Sequence, residues 1–233
     1  MKKIQEDHLY GEFGSTIPIR GKRILEGAMK VISRVSFSWT HSPHIEFIGE
    51  EADDMGGPQR EFFRLLMIEV RTSLGIFEGK ASQVFLSYDQ AALDQGKFYK
   101  AGQLVAWSVA HKGPCLKALD PSLFLLMCGQ DPQLDQFDWN VLPDPEVQTK
   151  VERIQQCKTA GDLTALQQEL GDWIADCGVP GIFSTTCEEI PRIYAYVVKH
   201  YIFLRKTHTQ IKKALLYNTI VVKINMYLLY AIS

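Results

Sequence analysis

No Cys-x-x-Cys pair occurs among the five cysteines, at positions 115, 128, 157, 177 and 187, and their number is odd. That spacing argues against a zinc ribbon or finger and gives no disulfide framework. His41 and His44 stand three apart, but no Cys or His pair follows at finger distance. No metal and no cofactor are therefore expected, and a reduced, intracellular setting, cytoplasmic or nuclear, is the simplest reading. Basic charge is also scarce: 25 Lys and Arg face 27 Asp and Glu, a formal net charge of −2. A nucleic acid or an anionic membrane surface normally leaves a basic stripe, so neither is an expected partner. The N-terminus has no apolar core of the kind a signal peptide needs.

What the chain does have is enough apolar material for a core. Of its 233 residues 46% are hydrophobic and 22% charged, which suits one large domain or two small ones. Residues 1–16 show no periodicity and are expected to be a disordered lead. Over 22–37, Ile24, Leu25, Ala28, Ile32 and Val35 recur at helical steps, and Thr40-His41-Ser42-Pro43 breaks the pattern. Residues 74–80 read as a turn, 84–86 as a short strand and 98–111 as a helix rich in small residues. Asp120-Pro121 and Asp144-Pro145 are helix starts, an acceptor at the cap followed by proline, and Gly129 and Gly178 are stops. The apolar run at 123–128 is far shorter than the roughly twenty residues a membrane helix needs. Leu163, Leu166, Leu170, Trp173 and Ile174 define a further helix. The last convincing one runs over 188–205, with Ile190, Ile193, Tyr194, Val197, Val198, Tyr201 and Ile202 on one face.

The stretch 44–70 organises the rest. Ile45 and Phe47 alternate with Glu46 as in a half-buried strand, and Gly56-Gly57-Pro58 makes a turn that places proline at a first helical position. Beyond it Phe62, Phe63, Leu65, Leu66, Met67, Val70 and Leu74 cover one helix face, while Arg60, Glu61, Arg64 and Arg71 share the other. Glu69 projects into the apolar arc, where an unpaired carboxylate is costly. A charged or multiply hydrogen-bonded partner from another segment is expected, which makes Glu69 a helix anchor rather than a catalytic acid.

Phe47, Gly49, Glu50, Glu51, Asp54, Gly56, Gly57, Pro58, Arg60, Glu61, Phe62, Phe63, Leu65, Leu66 and Glu69 together closely resemble the signature near the start of the HECT domain, the transferring domain of one class of ubiquitin ligases. The resemblance covers roughly residues 20–205. The segment 199–205 also looks like one found late in divergent HECT lobes of vertebrate cell-cycle ligases that carry PHD fingers. It implies an α+β fold, mainly α with a few short β-strands, like a HECT N-terminal lobe over 17–205. By order along the chain, 131–187 corresponds to the subdomain that docks the ubiquitin-conjugating enzyme, although no residue-level motif transfers docking residues there. The implied function is ubiquitin-protein transfer in protein ubiquitination. The conjugating enzyme is then a partner, together with a substrate protein that the sequence does not specify.

Family members carry ubiquitin as a thioester on a cysteine of a separate C-terminal lobe, and the chain is expected to stop short of that lobe. Thr186-Cys187 echoes the family's Thr-Cys pair, which makes Cys187 the one candidate nucleophile. The family's preceding Leu-Pro is absent, however, and Glu188-Glu189 follows, where negative charge opposes a thiolate. The expectation is a chain inactive by itself. The alternative is a non-catalytic, HECT-derived interaction module or scaffold. Residues 206–233 form an apolar tail in which Lys223 and Asn225 make a membrane span costly; Asp53 and Asp54 are expected to cap or tether the signature turn.

Overall fold

Thr16–Ile19 (β1) and His44–Phe47 (β2) run side by side as parallel strands, Ile17 opposite Ile45 and Ile19 opposite Phe47. A computed structural model describes residues 16–19, 23–39, 41–48 and 57–206. The signature residues Gly49, Glu50, Glu51, Asp54 and Gly56, the turn acids Asp53 and Asp54, the lead 1–15 and the tail from 207 onward lie outside those residues. Between the strands Ile24–Ile32 forms α1, and after β2 Gly57–Ser73 forms α2. A hairpin follows, Phe77–Lys80 (β3) antiparallel to Gln83–Leu86 (β4). The remaining helices are α3 (Gln90–Asp94), α4 (Lys97–Ala110), α5 (Pro121–Met127), α6 (Pro145–Gln156), α7 (Ala160–Asp176) and α8 (Ile190–Ile202), with 3-10 turns at Trp139–Val141, Pro180–Ser184, Cys187–Glu189 and Leu204–Lys206. The fold is mainly α with two small sheets.

Contacts group the described residues into two units, one holding those up to Gly75 together with Ala91–Lys117, the other Ile76–Gln90 together with 118–206. In the first, α1 and β2 pack on α2, and α2 packs on α4. Phe62, Phe63, Leu66 and Val70 of α2 are fully enclosed, as are Ala28 and Leu104. In the second unit α6 packs against α7 and α8, and the Pro180–Ser184 turn lies along α7. Every residue expected on the apolar face of α8 is buried, from Ile190 to Ile202.

Helix ends follow local chemistry. The Asp120 carboxylate accepts the Leu123 amide at 2.9 Å, and Asp144 accepts those of Glu146 at 2.9 Å and Val147 at 3.3 Å, each with proline at the first turn. Gly129 and Gly178 adopt the left-handed conformation, φ 75° and 91°, that ends a helix most cheaply at glycine. Two expectations fail. α1 stops at Ile32, where the Ser33 hydroxyl turns back to the Lys30 carbonyl; Val35 therefore leaves the helical face and stands fully exposed. Residues 77–80 are a strand, not a turn, because they pair across to 83–86, and Gly79 permits it: a Cβ there would lie 2.7 Å from the Gln83 carbonyl oxygen.

Candidate functional site

The signature helix α2 builds outward from Glu69. The cap residue of α1, Arg23, contributes no side-chain hydrogen bond, so the first amides of α1 need an acceptor from elsewhere. Glu69 supplies it: Oε1 accepts the Ile24 amide at 3.1 Å and Oε2 the Leu25 amide at 2.7 Å. One carboxylate thus caps a helix 45 residues away in sequence, placing its negative charge on the positive end of that helix's dipole. Gly57 and Arg60 are exposed, Pro58 is half-buried at the start of α2, and Glu61 makes two 2.7 Å bonds to the Arg64 guanidinium on the solvent side. That pair holds the Glu61 carboxyl below the usual range, chiefly through the hydrogen bond to Arg64.

Phe62 and Phe63 enter an aromatic cluster whose hub is Trp107 of α4. The Trp107 ring meets Phe37, Phe62 and Phe63 edge to face with centroids 5.2–5.7 Å apart, and Trp39 at 6.1 Å, geometries that the ring quadrupoles favour. Its indole Nε1 is buried without an N or O acceptor among the described residues. His111 stacks on Phe63 at 6.2 Å, and its Nε2 lies 3.0 Å from the Trp39 carbonyl. A carbonyl only accepts, so Nε2 carries the proton, and burial holds this histidine below its ordinary range. Just beyond α4, Gly113 lies so close to α2 that a Cβ would come within 2.7 Å of Phe63 Cβ. Motif reading did not reach this cluster, since Phe37, Trp39, Trp107 and His111 come from separate stretches. The only hint in the sequence was the aromatic content of those stretches.

The cysteines fall into two groups. Cys157 and Cys177 are buried; Cys115, Cys128 and Cys187 are half-buried, and all five are free thiols. Burial raises the Cys128 and Cys157 thiols, and pushes Cys177 up to about 11, which opposes thiolate formation. Cys187 opens the 3-10 turn that leads into α8. There the Glu189 carboxylate accepts the Thr186 amide at 3.2 Å and the Thr185 hydroxyl at 2.8 Å. The charged groups nearest it in sequence are carboxylates, Glu188 and Glu189. No group of His, Cys, Asp and Glu able to hold a metal occurs among the described residues.

Within 131–187, α7 carries an exposed aromatic at its edge. Phe183, 56% exposed, lies against Gly171, where a Cβ would come 2.6 Å from its Cε1. The Gln167 side-chain amide donates to the Ile182 carbonyl at 2.9 Å and pins the 180–184 turn to the helix. Among the described residues no helix is long and apolar enough to cross a membrane.

These features define a mainly helical protein in which described signature residues enclose one face of α2 and, through Glu69, cap α1. No protein-family model matches the chain. It is similar to the G2/M phase-specific E3 ubiquitin-protein ligase of Gallus gallus, 26% identical over 168 residues, which is 69% of this chain and 22% of that protein. The proteins of the same name from Macaca fascicularis and Homo sapiens are also 26% identical, over 189 and 196 residues, covering 79% and 82% of this chain. The chain spans about a quarter of the length of these curated relatives. The similarity supports a distant relationship to proteins named E3 ubiquitin ligases.

Proposed function

We propose that residues 17–205 act as a HECT-type N-terminal lobe, a platform that docks a ubiquitin-conjugating enzyme inside the cell, and that Cys187 does not carry the thioester. The observation that supports this reading most is the agreement of the signature with the names of the relatives. The 47–66 signature resembles that of HECT domains, and the curated relatives carry E3 ubiquitin-ligase names across most of the chain. For Cys187, the Leu-Pro that precedes the family's Thr-Cys pair is absent, and the half-buried thiol opens a 3-10 turn that leads straight into α8.

A second reading, a non-catalytic interaction module or scaffold, draws on that same departure from the family's Thr-Cys motif. Thioester trapping separates the possibilities: the chain is incubated with activating enzyme, charged conjugating enzymes and labelled ubiquitin, then run on reducing and non-reducing gels. The expected result is binding of a conjugating enzyme without a reducible adduct on the chain. An adduct lost in Cys187→Ala would overturn the assignment of Cys187, whereas absence of binding to any conjugating enzyme leaves the scaffold reading alone.

A further inference from the structure

Cys157 and Cys187 stand at the same end of the α6–α7 pair. These two helices run antiparallel: Lys150 sits 5.1 Å over the Trp173 ring and Arg153 pairs with Glu169 at 3.4 Å, so numbers fall on one helix as they rise on the other. The end they share is the short connection in which Cys157 caps α6 and Thr159 caps α7. Beyond α7 the chain doubles back along it. The Gln167 side-chain amide donates to the Ile182 carbonyl at 2.9 Å, and Phe183 lies on Gly171, so the 180–184 turn heads from the Cys177 end towards the Thr159 end. Cys187 follows that turn and leads into α8, which packs on α6. The electrostatics agree with this path. Burial first, and next the charge of a Cys187 thiolate, raise the Cys157 thiol, an influence that requires the two sulfurs to be neighbours. Cys177 is no rival partner, because it caps the opposite end of α7, about 25 Å along that helix at 1.5 Å per residue.

We propose that Cys157 and Cys187 are a redox couple that closes into a disulfide under a peroxide and reopens under a dithiol. Disulfide geometry is exacting, and both cysteines sit at element ends, Cys157 with extended backbone after α6 and Cys187 first in its turn, where a small adjustment leaves α6 and α8 whole. Half-buried Cys187 reacts first, since Cys157 is only 4% exposed. The Cys187 thiolate sulfur attacks one peroxide oxygen, the O–O bond breaks, and a sulfenic acid and hydroxide form; the hydroxide takes the proton that the thiol gave up. The Cys157 thiolate then attacks that sulfur. The S–S bond forms, the S–O bond breaks, and the departing hydroxide takes the proton lost by Cys157. Two thiols and one hydrogen peroxide thus give one disulfide and two waters. Conversion of Cys187 to a neutral sulfenic acid also removes the anionic neighbour of Cys157, so the first step favours the second. The closed bond ties the end of α6 to the start of α8 across the segment that holds α7, whether or not the chain docks a conjugating enzyme.

The full chain is treated with hydrogen peroxide in native buffer and weighed intact, then blocked with iodoacetamide in denaturant and digested with trypsin. Trypsin leaves Cys157 on the peptide 154–158 and both Cys177 and Cys187 on 159–192, so a second cut by chymotrypsin after Phe183 separates these two. The expected result is an intact mass lower by two hydrogens and a cross-link between the Cys157 and Cys187 peptides. Dithiothreitol should open that link, and it should be lost in Cys187→Ser. The same treatment in strong urea should abolish its preference over other cysteine pairs, because the fold no longer brings the two together. Three results would overturn the couple: a link that forms in urea as readily as in the native chain, a native link that joins any other pair instead, or Cys187 carried on to sulfinic acid while Cys157 is recovered as a free thiol.

Discussion

Removing the Glu69 carboxylate should destabilise the first unit far more than its half-buried position suggests. The two amides it caps, Ile24 and Leu25 at 3.1 and 2.7 Å, have no substitute at the cap, because Arg23 offers no side-chain acceptor. Glu69→Ala leaves two partly buried donors unpaired, at about 1–2 kcal/mol each, so the loss should be about 2–4 kcal/mol. Glu69→Gln keeps one acceptor but gives up a bond and the charge at the helix dipole, about 1–2 kcal/mol. At about 2–4 °C per kcal/mol, the alanine variant should melt about 4–16 °C lower. Tryptophan fluorescence provides the assay, since Trp39 and Trp107 belong to this unit and Trp139 and Trp173 to the other. A Trp139→Phe/Trp173→Phe background therefore reports on the Glu69 unit alone. Glu61→Ala is the control: its pair with Arg64 lies at the surface, where such pairs contribute little, and no measurable shift is expected. A loss below about 0.5 kcal/mol for Glu69→Ala would refute the argument that this residue anchors α1.

Further tests address the same framework and the thiols. The folded-state pKa of His111 is lowered, chiefly by burial, so the unfolded chain binds its proton first. Stability should be full above about pH 6.5 and fall as pH drops from there through the folded value, a slope that His111→Gln removes when Trp39 and Trp107 fluorescence is followed. Gly113→Ala forces a Cβ to within 2.5 Å of Ser108 Oγ and 2.7 Å of Phe63 Cβ and should cost about 1–3 kcal/mol by overpacking, measured by denaturant titration. Cys177, buried with its thiol pushed up to about 11, should react with iodoacetamide more slowly than half-buried Cys115 under native conditions, as read by mass spectrometry.

Much of the helical framework was legible because its signals are local. Asp120, Asp144 and the proline after each mark helix starts through bonds spanning two or three residues. The apolar positions from Ile190 to Ile202 recur at helical spacing and are all buried. The turn reading of 74–80 failed because glycine carries two meanings. Gly79 serves close approach of two backbones within a hairpin, not a break in the chain. Val35 kept the periodicity of α1 in sequence, yet the helix ends three residues earlier and Val35 stands exposed among the described residues.

The stretch 44–70 by itself determined the strand, the helix that follows it and the need of Glu69 for a partner, since each depends on side-chain period or on the cost of a carboxylate among apolar neighbours. Which amides would meet Glu69, the parallel pairing of Thr16–Ile19 with His44–Phe47, the ring cluster around Trp107 and the glycine seat beneath Phe183 were decided only by tertiary structure. The reason is distance along the chain. A capping residue or an apolar period is read from neighbours a few positions away, whereas these contacts join residues from 12 (Gly171 to Phe183) to 70 (Phe37 to Trp107) positions apart. Their geometry is fixed by how whole elements pack, and no local pattern records it.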